Sequence, residues 1–327
     1  MPVNVPLALP ARRTLESENV FVISDMRAAH QDIRPLRIVI VNLMPTKIAT
    51  ETQLLRLLGN TPLQVQITLV HMASHESRNT SGEHLDAFYA TFEQIKDEKF
   101  DGLVITGAPI ELLPFEEVDY WDELCQVMDW ADDHVFSTMH VCWGAQAGMY
   151  RRHGIPKYPL DHKMFGVFEH DVLDPQSPLL RGFDEVFPAP HSRHTETRAE
   201  DVEAAEGIEL LATSPQAGVY LAASTDGRQV YVTGHPEYER FTLAREYQRD
   251  VANDQPIDVP SNYYPKDDPG QEPRVTWRSH GYLLYANWLN YCVYQRTPFD
   301  LAQIPAEDRE GEESSSRPGQ QGKHLSM

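Results

Sequence analysis

Met139-His-Val-Cys-Trp-Gly-Ala-Gln-Ala-Gly148 is the stretch that decides the fold. An apolar, β-branched run ends at Val141, one residue occupies a turn, and a helical segment of small residues follows at once. A side chain on such a strand–turn–helix corner stands at the carboxyl end of a parallel sheet, as in a nucleophile elbow. Gly144 and Ala145 let the turn close and the helix pack against its strand. The N-terminus of that helix favours negative charge and so suits a thiolate at Cys142. The N–H of Trp143 is placed to face an oxyanion. The plain alternative is a structural cysteine at a strand end, and chemistry elsewhere in the chain must choose between the two.

Outward from the elbow, strands and helices alternate. Residues 36–43, 65–70, 100–107 and 135–141 read as strands, and 46–58, 83–98 and 116–133 as helices. Alternation of this kind implies βαβ units, so the fold class is α/β with a mostly parallel sheet flanked by helices. Beyond Tyr150 the pattern changes to short strands, around Val167 and at 208–211, 219–222 and 229–232, separated by His-, Pro- and Ser-rich loops. Residues 239–251 read as a helix and 252–275 as a Pro-rich loop. In the final helix, 276–296, Leu284, Trp288 and Cys292 form one apolar row and Tyr285, Leu289 and Val293 another. That face would suit a homodimer. The whole reads as one domain over 1–305, with an irregular leader (1–34) and a disordered tail (306–327).

Bulk properties exclude several classes. Of 327 residues, 49 are acidic and 28 basic, and the net charge of −21 opposes binding to nucleic acid or to an anionic membrane. No apolar run is long enough to span a bilayer. The start, MPVNVPLALPARR, places its arginines after a Pro-broken apolar stretch, unlike a secretory signal, and the reading is a cytoplasmic protein. The three cysteines form no CxxC pair, so a zinc knuckle is not expected. Cys125 and Cys292 sit at apolar helical positions and read as core. His191 and His194 have no carboxylate or cysteine at ligand spacing, and no metal is expected there.

A nucleophilic cysteine needs a base and an orienting group. The strand at 229–232 runs into Thr233-Gly-His-Pro-Glu237, which puts His235 just past a strand end, where ligands bind in parallel sheets. Glu237 can turn back around Pro236 to hold one imidazole nitrogen, leaving the other for Cys142. Cys142, His235 and Glu237 are therefore read as a catalytic triad.

The cysteine elbow and the His-x-Glu pair resemble the class I glutamine amidotransferase-like (flavodoxin-like) superfamily. That superfamily usually has glycine two residues before the cysteine, where this chain has His140. The departure argues against an ordinary glutaminase, and there is no synthetase domain to receive ammonia. Within the superfamily, the chain closely resembles the homoserine O-succinyltransferase/O-acetyltransferase family over about residues 1–301. The matching stretches include Val41-Asn-Leu-Met-Pro-Thr-Lys47, Glu51-Thr-Gln53, Thr106-Gly-Ala-Pro109, His140-Val-Cys-Trp-Gly-Ala-Gln-Ala147, His162-Lys-Met-Phe-Gly166, Pro190-His-Ser-Arg-His194 and Gly234-His-Pro-Glu-Tyr238.

The resemblance implies substrate contacts at Lys163 and Ser192, and binding of the homoserine carboxylate by Arg249, whose planar fork suits a carboxylate. Glu246, three residues before Arg249, is a candidate for the substrate ammonium; a simple i, i+3 ion pair is the bland reading. Without the resemblance, Lys163 reads as a solvated lysine and Ser192 as a loop serine. The Gly107–Glu111 loop should wall the acyl pocket, with the Ala108 N–H as a second oxyanion donor beside that of Trp143. In the family, glycine at the position of Glu111 goes with succinyl transfer and glutamate with acetyl transfer. A glutamate fills space and repels a succinyl carboxylate.

The expected reaction is ping-pong acetyl transfer from acetyl-CoA to L-homoserine through an acyl-cysteine. Acetyl-CoA is a co-substrate, and no permanently bound cofactor is expected. The alternatives are succinyl-CoA as donor and, in another class, a glutamine-hydrolysing amidotransferase subunit.

Overall fold

A computed structural model of the chain describes residues 34–75 and 79–304, together with 3, 4, 6, 8–17 and 22–23. The tail read as disordered, 306–327, lies outside the described residues. The main strands are β1 (Leu36–Val41), β2 (Val65–Val70), β3 (Phe100–Ile105), β4 (Val135–Val141), β5 (Tyr158–Val172), β6 (Val186–Glu196), β7 (Ile208–Ser214), β8 (Gly218–Ser224) and β9 (Gln229–Val232). The main helices are α1 (Lys47–Leu58), α2 (Trp121–His134), α3 (Trp143–His153), α4 (Thr242–Ala252) and α5 (Arg278–Asn287).

Among the described residues the strands form a single sheet in the order β2-β1-β3-β4-β9-β8-β7-β5-β6, extended beyond β2 by two-residue strands. From β2 to β9 all neighbours are parallel; from β9 to β6 all are antiparallel. The parallel half is buried on both faces, and its strands are accordingly almost continuously apolar. Along β1, Ile38 and Ile40 join the layer of α1 and α5, containing Leu54, Leu58, Leu284 and Trp288. Val39 and Val41 face the opposite layer, with Leu124, Val127 and Met128 of α2. No helix among the described residues is long and apolar enough to cross a membrane.

Several elements depart from the reading of the sequence. The helix expected over 83–98 is broken into Gly82–Phe88 and Phe92–Ile95 by a two-residue strand, Tyr89–Ala90, that pairs with β2. Tyr89 donates to buried Glu51 (2.6 Å) and accepts from Asn42 (2.9 Å), so tertiary hydrogen bonding overrides helical periodicity there. The helix expected over 116–133 starts only at Trp121, after a 3₁₀ turn whose Phe115 stacks on Trp121 and Tyr150.

The region read as short strands and loops after Tyr150 holds the 15-residue β5 and the 11-residue β6. Pro188 and Pro190 argue against a strand, yet β6 is the last strand of the sheet order, where missing N–H groups are tolerated. The leader read as irregular contains a helix, Pro10–Ser17, with Leu15 fully buried. The final helix changes to a π-helix at Trp288–Tyr294. Its apolar rows are buried within the chain itself, since Leu284, Tyr285, Trp288 and Leu289 are all 0% exposed. The argument for a homodimer from that face therefore falls away.

Among the described residues, His140, His170 and His191 are wholly buried. His140 bonds Gln229 Oε1 at 3.0 Å, and burial holds its pKa down at about 3. His170 and His191 meet through their Nε2 atoms at 2.9 Å; burial lowers the former to about 4 and the latter well below its ordinary value. These rings are neutral when folded and take up protons on unfolding. Their contribution to stability should thus be complete above about pH 6.5 and decline as the pH falls below it, by about 2 kcal/mol per histidine at pH 5. Urea unfolding at pH 7.5 and pH 5 should show the lower midpoint at pH 5, and His140→Gln should flatten part of that slope.

Candidate active site

The parallel register brings the ends of β1, β3, β4 and β9 side by side: Val41 pairs with Ile105, Ile105 with His140, and Val232 with Val141. The residues that follow form one edge of the sheet. Cys142 occupies it at φ 52°, ψ −118°, a conformation costly for a residue with a Cβ. Its N–H donates to Val232 O at 2.7 Å, and its carbonyl accepts from the N–H groups of Ala145 (3.0 Å) and Gln146 (3.2 Å). A Cβ at Gly144 would stand 2.6 Å from Thr106 O and 2.8 Å from Ile105 O, so the first turn of α3 fits only without a side chain. A Cβ at Gly107 would lie 3.1 Å from Cys142 Cβ and 3.6 Å from the Trp143 nitrogen. Gly107 and buried Ala108 thus run directly beside the elbow, where the sequence places the oxyanion donors.

His235 lies one residue past the Thr233-Gly turn that follows β9. Its N–H donates to Pro190 O (2.8 Å), and its ring stacks on Tyr238 with centroids 4.1 Å apart. Nδ1 meets Glu237 Oε1 at 2.7 Å, so the two-residue return around Pro236 takes place as the sequence suggests. Nε2 is buried and makes no hydrogen bond to nitrogen or oxygen among the described residues; Cys142 is the group beside it. Burial alone would lower the imidazole pKa. The charges and hydrogen bonds of Cys142 and Glu237 outweigh it and hold His235 well above its ordinary value. Both neighbours thus favour the charged form of the imidazole.

A second cluster adjoins the triad. Lys163 Nζ on β5 and Ser192 Oγ on β6 both donate to Glu246 Oε1 on α4, at 2.6 and 2.8 Å. Arg249 is 62% exposed and forks onto Asp250 at 2.6 and 2.7 Å, standing 3.8 Å from Glu246. Four residues named from the sequence, Lys163, Ser192, Glu246 and Arg249, are thus brought together. The i, i+3 pair of Glu246 with Arg249 is present at 3.8 Å, but Glu246 also turns inward to Lys163 and Ser192, and Ser192 is a strand residue, not a loop one. Asp250, 3.6 Å from Lys163, joins the cluster with no signal in the sequence beyond an ordinary helical carboxylate. Tyr238 links the two groups: burial, then the charges of Glu246, Glu237, Cys142 and Glu111, raise its phenol well above the usual range.

Glu111 is half-buried on the loop after β3. Its carbonyl and that of Leu113 accept from Lys157 Nζ at 2.5 and 2.6 Å, which ties the loop to the start of β5. Among the described residues, no group of three or more His, Cys, Asp or Glu side chains is arranged to hold a metal ion.

The sequence model of the family described as homoserine O-succinyltransferase matches residues 2–299. The chain belongs to the homoserine O-succinyltransferase family. Relatives within it carry the name homoserine O-acetyltransferase: one from Acetivibrio thermocellus is 59% identical over 304 residues, 93% of this chain and 100% of the relative. Another, from Brevibacillus brevis, is 60% identical over 301 residues, 92% of this chain and 98% of its own length. Among solved structures, a glutamine amidotransferase from Thermotoga maritima superposes with a TM-score of 0.51 at 11% identity, covering 79% of this chain and 98% of that one. That likeness establishes a class I glutamine amidotransferase-type fold for this family member.

The close approach at the elbow makes a direct prediction. Gly144→Ala should destabilise the protein by about 1–3 kcal/mol, because a methyl cannot share space with two backbone carbonyls. Urea titration of the two proteins reads the difference, and an unchanged midpoint would contradict this packing.

Proposed function

We propose that the protein transfers an acetyl group from acetyl-CoA to the hydroxyl of L-homoserine, giving O-acetyl-L-homoserine and CoA. The observation that carries the reading is the buried Cys142, held in an elbow beside the buried His235, whose Nδ1 is fixed by Glu237.

Cys142 thiolate adds to the thioester carbonyl, and the oxyanion is received by the N–H groups of Trp143 and Ala108. The carbonyl re-forms, the C–S bond to CoA breaks, and the imidazolium gives its proton to the departing thiolate. His235 is then neutral. It takes the hydroxyl proton of homoserine as that oxygen attacks the acyl-cysteine, and collapse expels Cys142 as thiolate beside a restored imidazolium. Lys163, Ser192, Glu246 and Arg249 form the homoserine end of the site: Arg249 takes the carboxylate and Glu246 the ammonium.

Glu111 supports acetyl as the acyl group, since a carboxylate on the pocket wall opposes a succinyl carboxylate. The names of the relatives point the same way. Mass spectrometry of the protein mixed with acetyl-CoA, without homoserine, should show one added acetyl group, lost in Cys142→Ala. Glutamate release from glutamine instead would overturn the reading in favour of an amidase. Glu111→Gly should raise the succinyl-to-acetyl ratio of kcat/KM by about tenfold or more, the effect of removing one opposed charge. An unmoved ratio would remove Glu111 from donor choice.

A further inference from the structure

Arg193 is a buried cation for which the catalytic steps above have no use. It lies on β6 next to Ser192 and is only 3% exposed. Side chains alternate along a strand. Ser192 meets Glu246 of α4, while Arg193 and Thr195 alternate to the other face, where Thr195 Oγ1 donates to Gln146 Oε1, near the start of the nucleophile helix, at 2.9 Å. Three residues before Arg193, Pro190 O receives the His235 N–H. Arg193 therefore lies on a strand whose nearby residues touch both the nucleophile helix and the backbone of His235.

The guanidinium donates only to neutral acceptors: His191 Nδ1 (3.3 Å), Thr195 O (2.6 Å) and Ala217 O. Among the described residues it forms no ion pair with a carboxylate within direct reach. Burial pulls its pKa below the usual guanidinium range, and the charges of Cys142, Glu196 and Glu111 oppose that fall. Glu196 stands toward solvent, 3.8 Å from Arg198, and is partly answered there. For Cys142 and Glu111 the backbone agrees: Lys157, which holds the Glu111 loop, lies two residues before Pro159, and Pro159 pairs with Thr195. The Thr195 carbonyl takes an Arg193 N–H, and its hydroxyl reaches Gln146 in the helix that starts after Cys142. A buried charge without a direct counter-ion projects its field over several ångströms of protein, where water does not screen it.

We propose that Arg193 is a specificity-determining residue of the acyl pocket, a fixed cation behind Cys142 whose charge Glu111 opposes from the pocket wall. The pair, rather than Glu111 alone, then decides whether an anionic acyl group is accepted. With Glu111 present the two charges cancel, and a small neutral acyl group fits. With Glu111 removed, Arg193 makes the same space attractive to a carboxylate. The inference rests on the reading of Cys142 as an acyl carrier, but its test needs neither CoA donor nor homoserine.

The test compares inactivation of Cys142 by iodoacetate and iodoacetamide, an anion and a neutral reagent of nearly equal size, at one fixed pH. Arg193→Gln should lower the iodoacetate-to-iodoacetamide rate ratio by about fivefold or more, while Arg193→Lys, which keeps the charge, should stay within about twofold of the native protein. A merely structural role for Arg193 would slow both reagents alike. An unchanged ratio in folded Arg193→Gln, or a ratio in Arg193→Lys as low as in Arg193→Gln, overturns the proposal. Should Arg193→Gln fail to fold, as circular dichroism would show, Glu111→Gln decides with Arg193 intact: its ratio should rise about threefold or more, and no rise overturns the proposal. Failure to acetylate homoserine would refute the proposed function separately, without moving these ratios.

Discussion

The backbone of Cys142 is the constraint on which the rest of the structure depends. A φ of 52° with ψ −118° costs on the order of 1–3 kcal/mol for a residue with a side chain. It persists because three neighbouring strands hold it from three sides. β9 accepts its N–H through Val232, β3 supplies the carbonyls of Ile105 and Thr106 against which Gly144 closes, and β4 delivers the chain into the turn. Each contact requires the parallel register of β3, β4 and β9. Loss of that register would let the turn relax to an ordinary conformation, and the sulfur would leave the sheet edge.

Around this fixed point the charges are arranged in order of depth. His235, with Glu237 behind it, is buried, and its two neighbours favour its charged form. Farther out, Lys163 and Ser192 share one oxygen of Glu246, and the exposed Arg249 reaches over Asp250. The inner pair is insulated from water and so interacts strongly. The outer cluster is partly solvated, and its ion pairs can exchange for a bound ligand at little cost.

The parallel half of the sheet was legible in the sequence because its strands are buried on both faces and written as apolar runs. The elbow and His-Pro-Glu were legible because local geometry places their chemistry within a few residues. Long-range pairing was not. β5 and β6 gain their length from each other, from Met164 opposite Arg193 to Asp171 opposite Val186, and the prolines of β6 conceal the strand. Tyr89 leaves a helical pattern for hydrogen bonds to Asn42 and Glu51, residues 47 and 38 positions away in the chain. Arg193 and Asp250 were passed over because sequence does not say which charges are buried or paired. Lys163, Ser192 and Arg249 were named through a family resemblance; their convergence on Glu246 is a tertiary fact.

His140, two residues before the nucleophile, stacks on Tyr231 with centroids 5.0 Å apart. It also presses against α3, where a Cβ at Gly148 would stand 2.7 Å from its ring nitrogen. The imidazole acts as a spacer between strand and helix, and the small residue at 148 is the recess cut for it. A neighbour of this fold with glycine at the first position would need bulk at the second. Grafting either half alone between such proteins would tilt the helix that carries the sulfur. Positions 140, 148, 229 and 231 must be exchanged together, which makes the reactive corner a cassette rather than a motif.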